Sequence, residues 1–288
     1  MKAVPDAPAK KPRLLIRILR TAAITLAVSV VTILLLFYFL QNKLLYYPDR
    51  GLPPPPKVQL PAVERVEFSS SDGVKLVSWW LPPQPGRPTV LFFQGNAGNI
   101  ADRSDRLFDC ADHGWGLLLL GYRGYGDSAG TPDEPGINLD ARAALEWLRK
   151  RPDVEGKKIV YYGESLGCGF ASELAVAEPP ACLVLEAPFK NLKAIAAVHY
   201  PWLPTSILVK GRLDNLANVA KLKCPLWVTH GTRDEIIPFG HGKAVFDAAP
   251  EPKKFYELRS RHNDISETGG KPYRAAVAEF IEAAVKGR

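Results

Sequence analysis

Several patterns that would indicate common ligand-binding functions are missing from this sequence. It has only five histidines and four cysteines in 288 residues. Their spacing fits neither a metal site nor a Cys-x-x-Cys redox pair. The glycine-rich patterns of dinucleotide-binding and P-loop proteins are also missing. We therefore expect this protein to bind no metal ion and no cofactor.

Basic charge is scarce once the N-terminus is set aside. The formal net charge is +7, but residues 1–20 carry six basic side chains and one acidic side chain, which leaves only +2 for the other 268 residues. No basic stripe interleaved with aromatic residues follows, as a nucleic-acid surface would require. The composition thus excludes nucleic acid as an expected partner.

One segment, residues 21–40, contains no charged side chain. Twenty helical residues span about 30 Å, the thickness of the hydrocarbon core of a bilayer, so this segment is predicted to be a transmembrane helix. It is long for a cleavable signal peptide, and no small-x-small cleavage site follows, which favours a retained signal anchor. The positive-inside rule predicts that the basic tail over 1–20 is cytoplasmic and that the rest of the chain is extracytoplasmic, periplasmic if the organism is bacterial.

Beyond the predicted anchor, the sequence divides into a linker and one domain. Residues 51–61 include four consecutive prolines, which predicts a stiff linker over 41–62 and a domain over 63–288. An exported domain permits disulfides between its four cysteines. Cys182 and Cys224 each precede a strand-like run and would bridge if those strands were neighbours, although we expect buried thiols.

Apolar strands and amphipathic helices alternate from residue 88 onward. Residues 89–93, 115–121 and 158–162 form strand-like runs, while apolar side chains over 137–148 recur at helical spacing. Continuous apolar strands separated by helices predict a mostly parallel sheet covered on both faces. An antiparallel hairpin over 63–81 would form its edge. The predicted fold class is therefore a doubly wound α/β fold.

The motif Gly-Glu-Ser-Leu-Gly at 163–167 directly follows one of these strands. In the G-x-S-x-G pattern, a sharp turn between a strand and a helix exposes the serine. Glycines flank it because side chains there would collide with the neighbouring strand and helix. This predicts a nucleophile elbow at Ser165, and an ordinary glycine-rich turn is the alternative.

Two further reactive side chains follow later strand-like runs. Asp234 comes after the run that ends at His230, and His262 comes after the run that ends at Leu258. Ligands of parallel α/β sheets gather at the carboxyl ends of the strands, where Ser165 also lies. The order nucleophile, acid, histidine is the one used by α/β-hydrolases.

On these residues the sequence resembles serine hydrolases of the α/β-hydrolase superfamily. The loop Gln-Gly-Asn-Ala-Gly-Asn at 94–99, the segment Tyr-Arg-Gly-Tyr-Gly at 122–126 and Pro-Phe at 188–189 resemble a membrane-anchored branch akin to the prolyl-oligopeptidase and serine-aminopeptidase-like hydrolases. The resemblance covers residues 44–288. It implies an α/β-hydrolase fold with a short cap over 189–222.

The resemblance also implies a role for each site residue. His262 would act as the general base for Ser165, and Asp234 would orient His262. The family pattern Gly-x-x-Asp-x-x-x-Pro selects Asp234 over the neighbouring carboxylates. The backbone N–H groups of Leu166 and Asn96 would form the oxyanion hole.

Four residues are candidates for the substrate pocket: Gln94, Tyr122, Arg123 and Trp202. The family usually has histidine where this chain has Gln94. Arg123 lies in a glycine-rich loop and would alternatively form a buried pair with an aspartate, while the cap around Trp202 would alternatively be helix packed on the sheet.

The predicted function is hydrolysis of a small-molecule ester, a thioester or an amide through an acyl-enzyme, with ester cleavage favoured over peptide cleavage. The alternatives are an aminopeptidase-like peptidase and a non-catalytic, membrane-tethered binding protein that has kept the fold.

Overall fold

A long N-terminal helix is the first element of the computed structural model, which describes residues 11–57, 59–60 and 62–286. This helix, α1, covers Lys11–Leu45 and includes the predicted span at 21–40. From Leu14 to Leu45 it is long and apolar enough to cross a membrane, and its most apolar stretch is not buried within the protein. Of the predicted basic tail, residues 1–10 lie outside the described part of the chain.

The rest of the chain alternates strands with helices. The strands are β1 (Tyr47–Pro48), β2 (Glu64–Ser69), β3 (Lys75–Leu81), β4 (Thr89–Phe93), β5 (Ala97–Gly98), β6 (Gly116–Leu119), β7 (Ile159–Glu164), β8 (Leu183–Glu186), β9 (Leu226–Gly231) and β10 (Lys253–Leu258). The helices are α2 (Asp105–Asp112), α3 (Glu134–Arg149), α4 (Gly167–Ala177), α5 (Leu192–His199), α6 (Thr205–Leu208), α7 (Asn215–Val219), α8 (Phe239–Ala248) and α9 (Ile265–Lys286).

Within the described ranges, eight strands form the main sheet in the order β10-β9-β8-β7-β4-β6-β3-β2. The six strands from β10 to β6 pair in parallel, while β3 is antiparallel to both β6 and β2. The predicted edge hairpin is therefore present as β2 and β3. The mostly parallel sheet is confirmed.

Hydrophobic cores cover both faces of the sheet, as a doubly wound fold requires. One core contains side chains of α3, α4, α7 and α8, including Ile137, Phe170 and Val245. The other contains side chains of α2 and α9, including Leu107 and Ile281. The central strands β4, β6 and β8 are buried along their whole length, which explains their uninterrupted apolar sequence. All four cysteines are buried.

The segment that follows α1 lies against the domain. Strand β1 pairs in parallel with β5, so that Tyr47 lies opposite Ala97. The N–H of Leu52 donates to Asp127 Oδ1 at 2.9 Å, and Tyr46 is buried in the core. Part of the segment predicted as a linker over 41–62 is thus packed on the domain, and it holds the end of α1 close to the carboxyl ends of the strands.

The closing helix differs from the predicted one at its start. The sequence predicts a helix from Pro272, whereas α9 includes an earlier turn from Ile265. The two parts meet at Gly270, whose φ of 53° is not helical. Glycine accepts this conformation without strain, and Pro272 favours the first turn of the helix that follows.

Candidate active site

The turn at Ser165 has the geometry of a nucleophile elbow. Ser165 follows β7 directly and has a φ of 52°, a value that a side-chain-bearing residue seldom adopts. A Cβ added at Gly163 would lie 2.7 Å from the backbone of Cys168 in α4, and one added at Gly167 would lie 2.1 Å from the carbonyl oxygen of Phe93 in β4. Both flanking glycines are therefore required, because a strand and a helix approach the turn too closely for a side chain.

Ser165, His262 and Asp234 lie in one hydrogen-bonded line. His262 Nε2 is 2.9 Å from Ser165 Oγ, and His262 Nδ1 is 2.7 Å from Asp234 Oδ2. The three residues follow β7, β10 and β9, whose carboxyl ends share one edge of the sheet. The structure thus brings together all three residues that the sequence singled out, although they are up to 97 positions apart.

Asp234 is buried and fully engaged by hydrogen bonds. Its Oδ1 accepts the backbone N–H groups of Ile236 at 2.9 Å and Ile237 at 2.7 Å, while Oδ2 faces both His262 and His230 Nε2, the latter at 3.3 Å. Burial alone would raise the pKa of Asp234, but the hydrogen bonds from His230, His262 and the Ile237 N–H outweigh it and hold the pKa below the ordinary value. Asp234 is therefore an anion at neutral pH.

The two residues whose backbone N–H groups are predicted to form the oxyanion hole lie at the same cavity as Ser165. Leu166 and Asn96 both line this cavity. Among the residues that the structure describes, neither N–H donates a hydrogen bond to another protein group. The carbonyl oxygen of Asn96 accepts from Tyr47 N at 2.9 Å and from Tyr125 Oη at 2.7 Å. These contacts fix the peptide plane that follows Asn96, between Asn96 and Ala97.

A largely apolar cavity of about 370 Å³ opens on one side of Ser165, and we call it the apolar cavity. Its volume is in the range of small-molecule sites. Side chains of α5 and of the end of α1 form much of its wall, among them Leu192, Ile195, Phe37 and Leu45. The short cap and the N-terminal helix therefore enclose it together.

A second cavity, of about 480 Å³, lies on the other side of Ser165 and is lined by charged side chains. We call it the polar cavity. Arg103 Nη2 is 2.9 Å from Glu164 Oε1, and Arg106 Nη2 is 2.8 Å from Glu186 Oε1. Burial would raise the pKa of Glu186, but the Arg106 charge and hydrogen bonds from two tyrosines lower it below the ordinary value. The polar cavity therefore holds two ion pairs.

The four candidate pocket residues lie outside both cavities. Gln94 and Tyr122 are buried, and the Tyr122 hydroxyl donates to the carbonyl oxygen of Gln94 at 3.0 Å. Arg123 pairs with the buried Asp140 at 2.8 Å and with Asp72, which matches the structural alternative for this residue. Trp202 is 63% exposed and lies on the outer surface of the cap. In the described chain, none of the four lines a cavity that contains Ser165.

Several residues around Ser165 were not predicted from the sequence. His230 had a signal, because it lies near the end of β9, the strand that leads to Asp234, and precedes Asp234 by four positions. Glu164 and Glu186 end neighbouring strands and could have been placed at this edge of the sheet. No sequence pattern indicated that α1, Arg103 and Arg106 would line the cavities beside Ser165, because their positions there depend on how distant segments of the chain pack.

Comparisons with known proteins agree with this architecture. Residues 88–270 match the model of the alpha/beta hydrolase fold family. An uncharacterized protein of Mycobacterium tuberculosis is 40% identical over 254 residues, which cover 86% of this chain and 90% of that protein. An alpha/beta hydrolase domain-containing protein of Arabidopsis thaliana is 32% identical, with 84% and 87% covered.

The fold is also that of a solved esterase. A Pyrococcus furiosus esterase superposes with a TM-score of 0.69 at 21% identity, over 83% of this chain and 97% of the esterase chain. At this identity the likeness concerns the fold. The family match and the two relatives decide the classification, and the predicted resemblance to the superfamily is confirmed. This chain belongs to the alpha/beta hydrolase fold family.

Proposed function

We propose that this protein is a serine hydrolase that cleaves carboxylic esters through an acyl-enzyme formed on Ser165. The observation that carries the proposal is the 2.9 Å contact between His262 Nε2 and Ser165 Oγ at a turn with positive φ. A hydroxyl is a weak nucleophile at neutral pH and requires such a base within hydrogen-bond reach. The contact of Asp234 with His262 Nδ1 supplies the third group of a triad.

In the proposed reaction, Ser165 Oγ attacks the acyl carbonyl carbon as its proton passes to His262 Nε2. The negative charge that develops on the carbonyl oxygen is stabilised by the N–H groups of Leu166 and Asn96. The C–O bond to the alcohol then breaks, and His262 returns its proton to the leaving oxygen. Water, deprotonated by His262, hydrolyses the acyl-enzyme to the free acid and Ser165. Asp234 stabilises the charged imidazolium in both steps.

Ester cleavage is favoured over aminopeptidase activity by the charges in the polar cavity. A peptidase of that kind requires free carboxylates to bind a substrate amine. The four carboxylates that line the polar cavity already lie within 4.0 Å of a guanidinium nitrogen, Glu164 and Asp102 of Arg103, and Glu186 and Asp105 of Arg106. The other candidate function is that of a membrane-tethered binding protein that has this fold and catalyses no reaction. The aligned side chains of Ser165, His262 and Asp234 argue against it.

We further propose that α1 is a signal anchor. Its length and apolar surface support a membrane span, and the basic residues that precede the span place the N-terminus in the cytoplasm by the positive-inside rule. The hydrolase domain over 63–288 would then be extracytoplasmic.

The test is Ser165→Ala in the full-length protein. We expect it to abolish both labelling by a fluorophosphonate probe and hydrolysis of p-nitrophenyl acetate, because the acyl-enzyme would no longer form. Ser266→Ala is the matched control, since Ser266 lines the polar cavity but is not bonded to His262, and it should keep the label. Labelling retained in Ser165→Ala would disprove the assignment. A wild-type protein that takes no label would support the non-catalytic alternative.

A further inference from the structure

The wall of the apolar cavity includes the end of the helix that is suited to cross a membrane. Phe37, Gln41, Leu44 and Leu45 of α1 line the same cavity as Ser165. At 1.5 Å per residue, the stretch from Phe37 to Leu45 covers about 12 Å of helix. The preceding turns of α1 are apolar and exposed. The cavity is therefore built directly against the surface of the predicted membrane span.

Specific contacts hold this end of α1 to the cap. Gln41 Oε1 accepts the backbone N–H of Lys210 at 2.9 Å, and Gln41 Nε2 donates to the carbonyl oxygen of Leu208 at 3.4 Å. The ring of Phe37 packs edge-to-face on Tyr200 and Trp202, with centroids 5.2 and 5.6 Å apart. The cap and α1 thus form a single structure at the rim of the apolar cavity.

The cap exposes large apolar side chains beside this contact. Ile207 of α6 is 79% exposed and Trp202 is 63% exposed. Large apolar side chains exposed together mark surfaces that contact a membrane or a partner, and tryptophan is enriched where a membrane meets water. Because α1 continues from the same place as an apolar helix, the bilayer is the contact that fits this surface.

Polarity changes across Ser165. The apolar cavity lies towards α1 and the cap, whereas the polar cavity on the other side presents Asp102, Arg103 and Asp105. A substrate that fills both has an apolar acyl part and a polar alcohol part, joined by the ester that Ser165 would attack. Such a molecule is amphipathic and would itself reside in a bilayer.

We propose that the substrate is an amphipathic acyl ester of the membrane, and that its acyl chain enters the apolar cavity from the bilayer at the rim that α1 and the cap form together. This inference rests on the proposed serine esterase function. The acyl carbon is transferred from the alcohol oxygen to Ser165 Oγ and then to water. The products are a fatty acid, which can return to the bilayer, and a polar alcohol, which leaves through the polar cavity.

The experiment uses the full-length protein in phosphatidylcholine vesicles and two esters with the same leaving group. p-Nitrophenyl palmitate is dissolved in the bilayer, and p-nitrophenyl acetate is added in water. Ile207→Asp places a charge on the proposed membrane-contacting surface, outside both cavities. We expect it to lower the rate on the palmitate ester about five-fold or more, and the rate on acetate less than two-fold. Trp202→Asp, made separately, should lower the palmitate rate in the same way.

Phe108→Asp is the matched control, because Phe108 is an exposed apolar residue on α2, away from the cap. It should leave both rates unchanged. An equal loss on both esters in Ile207→Asp, or no loss on palmitate, would overturn the membrane entry. If the wild type cleaves acetate but not palmitate, the proposed hydrolase stands and this inference fails. If it cleaves neither ester and takes no fluorophosphonate label, the proposed function itself fails.

Discussion

The apolar and polar cavities meet at Ser165 but are built from different parts of the molecule. The polar cavity is formed at the ends of β7 and β8 together with the segment that leads into α2, so it belongs to the sheet and its first helices. The apolar cavity takes its wall from the cap and from α1, which are separate from the sheet. The proposed chemistry therefore takes place at the boundary between the α/β sheet with its helices and two separate elements, the cap and α1.

One carboxylate in each cavity shows how different the two environments are. Glu186 lies in the polar cavity, and Arg106 with two tyrosine hydroxyls lowers its pKa despite burial. Glu134 lies in the apolar cavity, where burial raises its pKa more than the N–H groups of Arg212 and Leu213 lower it. The same residue type is thus stabilised as an anion on one side of Ser165 and disfavoured as an anion on the other.

The largest effect on the rate of hydrolysis is expected from a substitution at the reaction centre that the two cavities share. His262→Ala removes the proposed general base, which contacts Ser165, and it should lower kcat roughly 10⁴-fold for acetate and palmitate esters alike. Steady-state hydrolysis of both esters measures this. His113→Ala is the control, since His113 stacks on Trp115 away from the site. A loss confined to one ester would show that the two cavities do not share one reaction centre.

A smaller effect is expected from filling the apolar cavity alone. Ala196 of α5 lines this cavity, so Ala196→Trp should lower kcat/KM for the palmitate ester about ten-fold or more relative to acetate, since the indole occupies space needed by the chain. Ala197→Trp is the matched control, because Ala197 is the next residue of α5 and is exposed. If both variants behave alike, the apolar cavity does not hold the acyl chain.

Glu186 and Glu134 are expected to contribute to the stability of the fold with opposite dependence on pH. Because the folded-state pKa of Glu186 lies below its ordinary 4.5, its contribution is present above that pH and is lost as pH falls through the folded pKa. Glu186→Gln removes the carboxylate closest to Arg106 and leaves it only the more distant Glu164 and Asp105, which should cost about 3 kcal/mol at pH 7. That corresponds to a Tm lower by roughly 6 to 12 °C. The Tm difference from wild type should shrink in acid.

The smallest effect is expected for Glu134 in the apolar cavity. Its contribution to the stability of the fold should change with pH in the direction opposite to that of Glu186. The raised pKa of Glu134 contributes stability that is complete below its ordinary 4.5 and is lost as pH rises through the folded pKa. Glu134→Gln should therefore become less destabilising, relative to wild type, as pH increases. Thermal unfolding of the full-length protein from pH 7 down to about pH 3 measures both variants, because the change expected for Glu186 lies below 4.5 and the change expected for Glu134 lies above it. Slopes of the same sign would show that the two environments do not differ as described.

The sequence was sufficient for the features that depend on local pattern. Buried parallel strands read as continuous apolar runs, so the sheet could be predicted strand by strand. Gly163 and Gly167 indicate the nucleophile elbow, because the backbones of the neighbouring helix and strand lie too close for a side chain at either position. Asp234 and His262 follow strands, and parallel strands end at one edge, so their proximity to Ser165 could be anticipated. Their catalytic role stays a prediction that the proposed experiments address.

Only the tertiary structure decided what surrounds Ser165. Gln94, Tyr122 and Arg123 belong to the right loops, yet their side chains turn into the interior, which depends on packing and not on position in the sequence. The wall of the apolar cavity joins Gln41 to Leu208, 167 positions away. No periodicity or motif relates such distant segments, because their contact arises only when the segment after α1 packs on the domain. Local chemistry thus determined the fold and the candidate triad, and long-range packing determined the cavities.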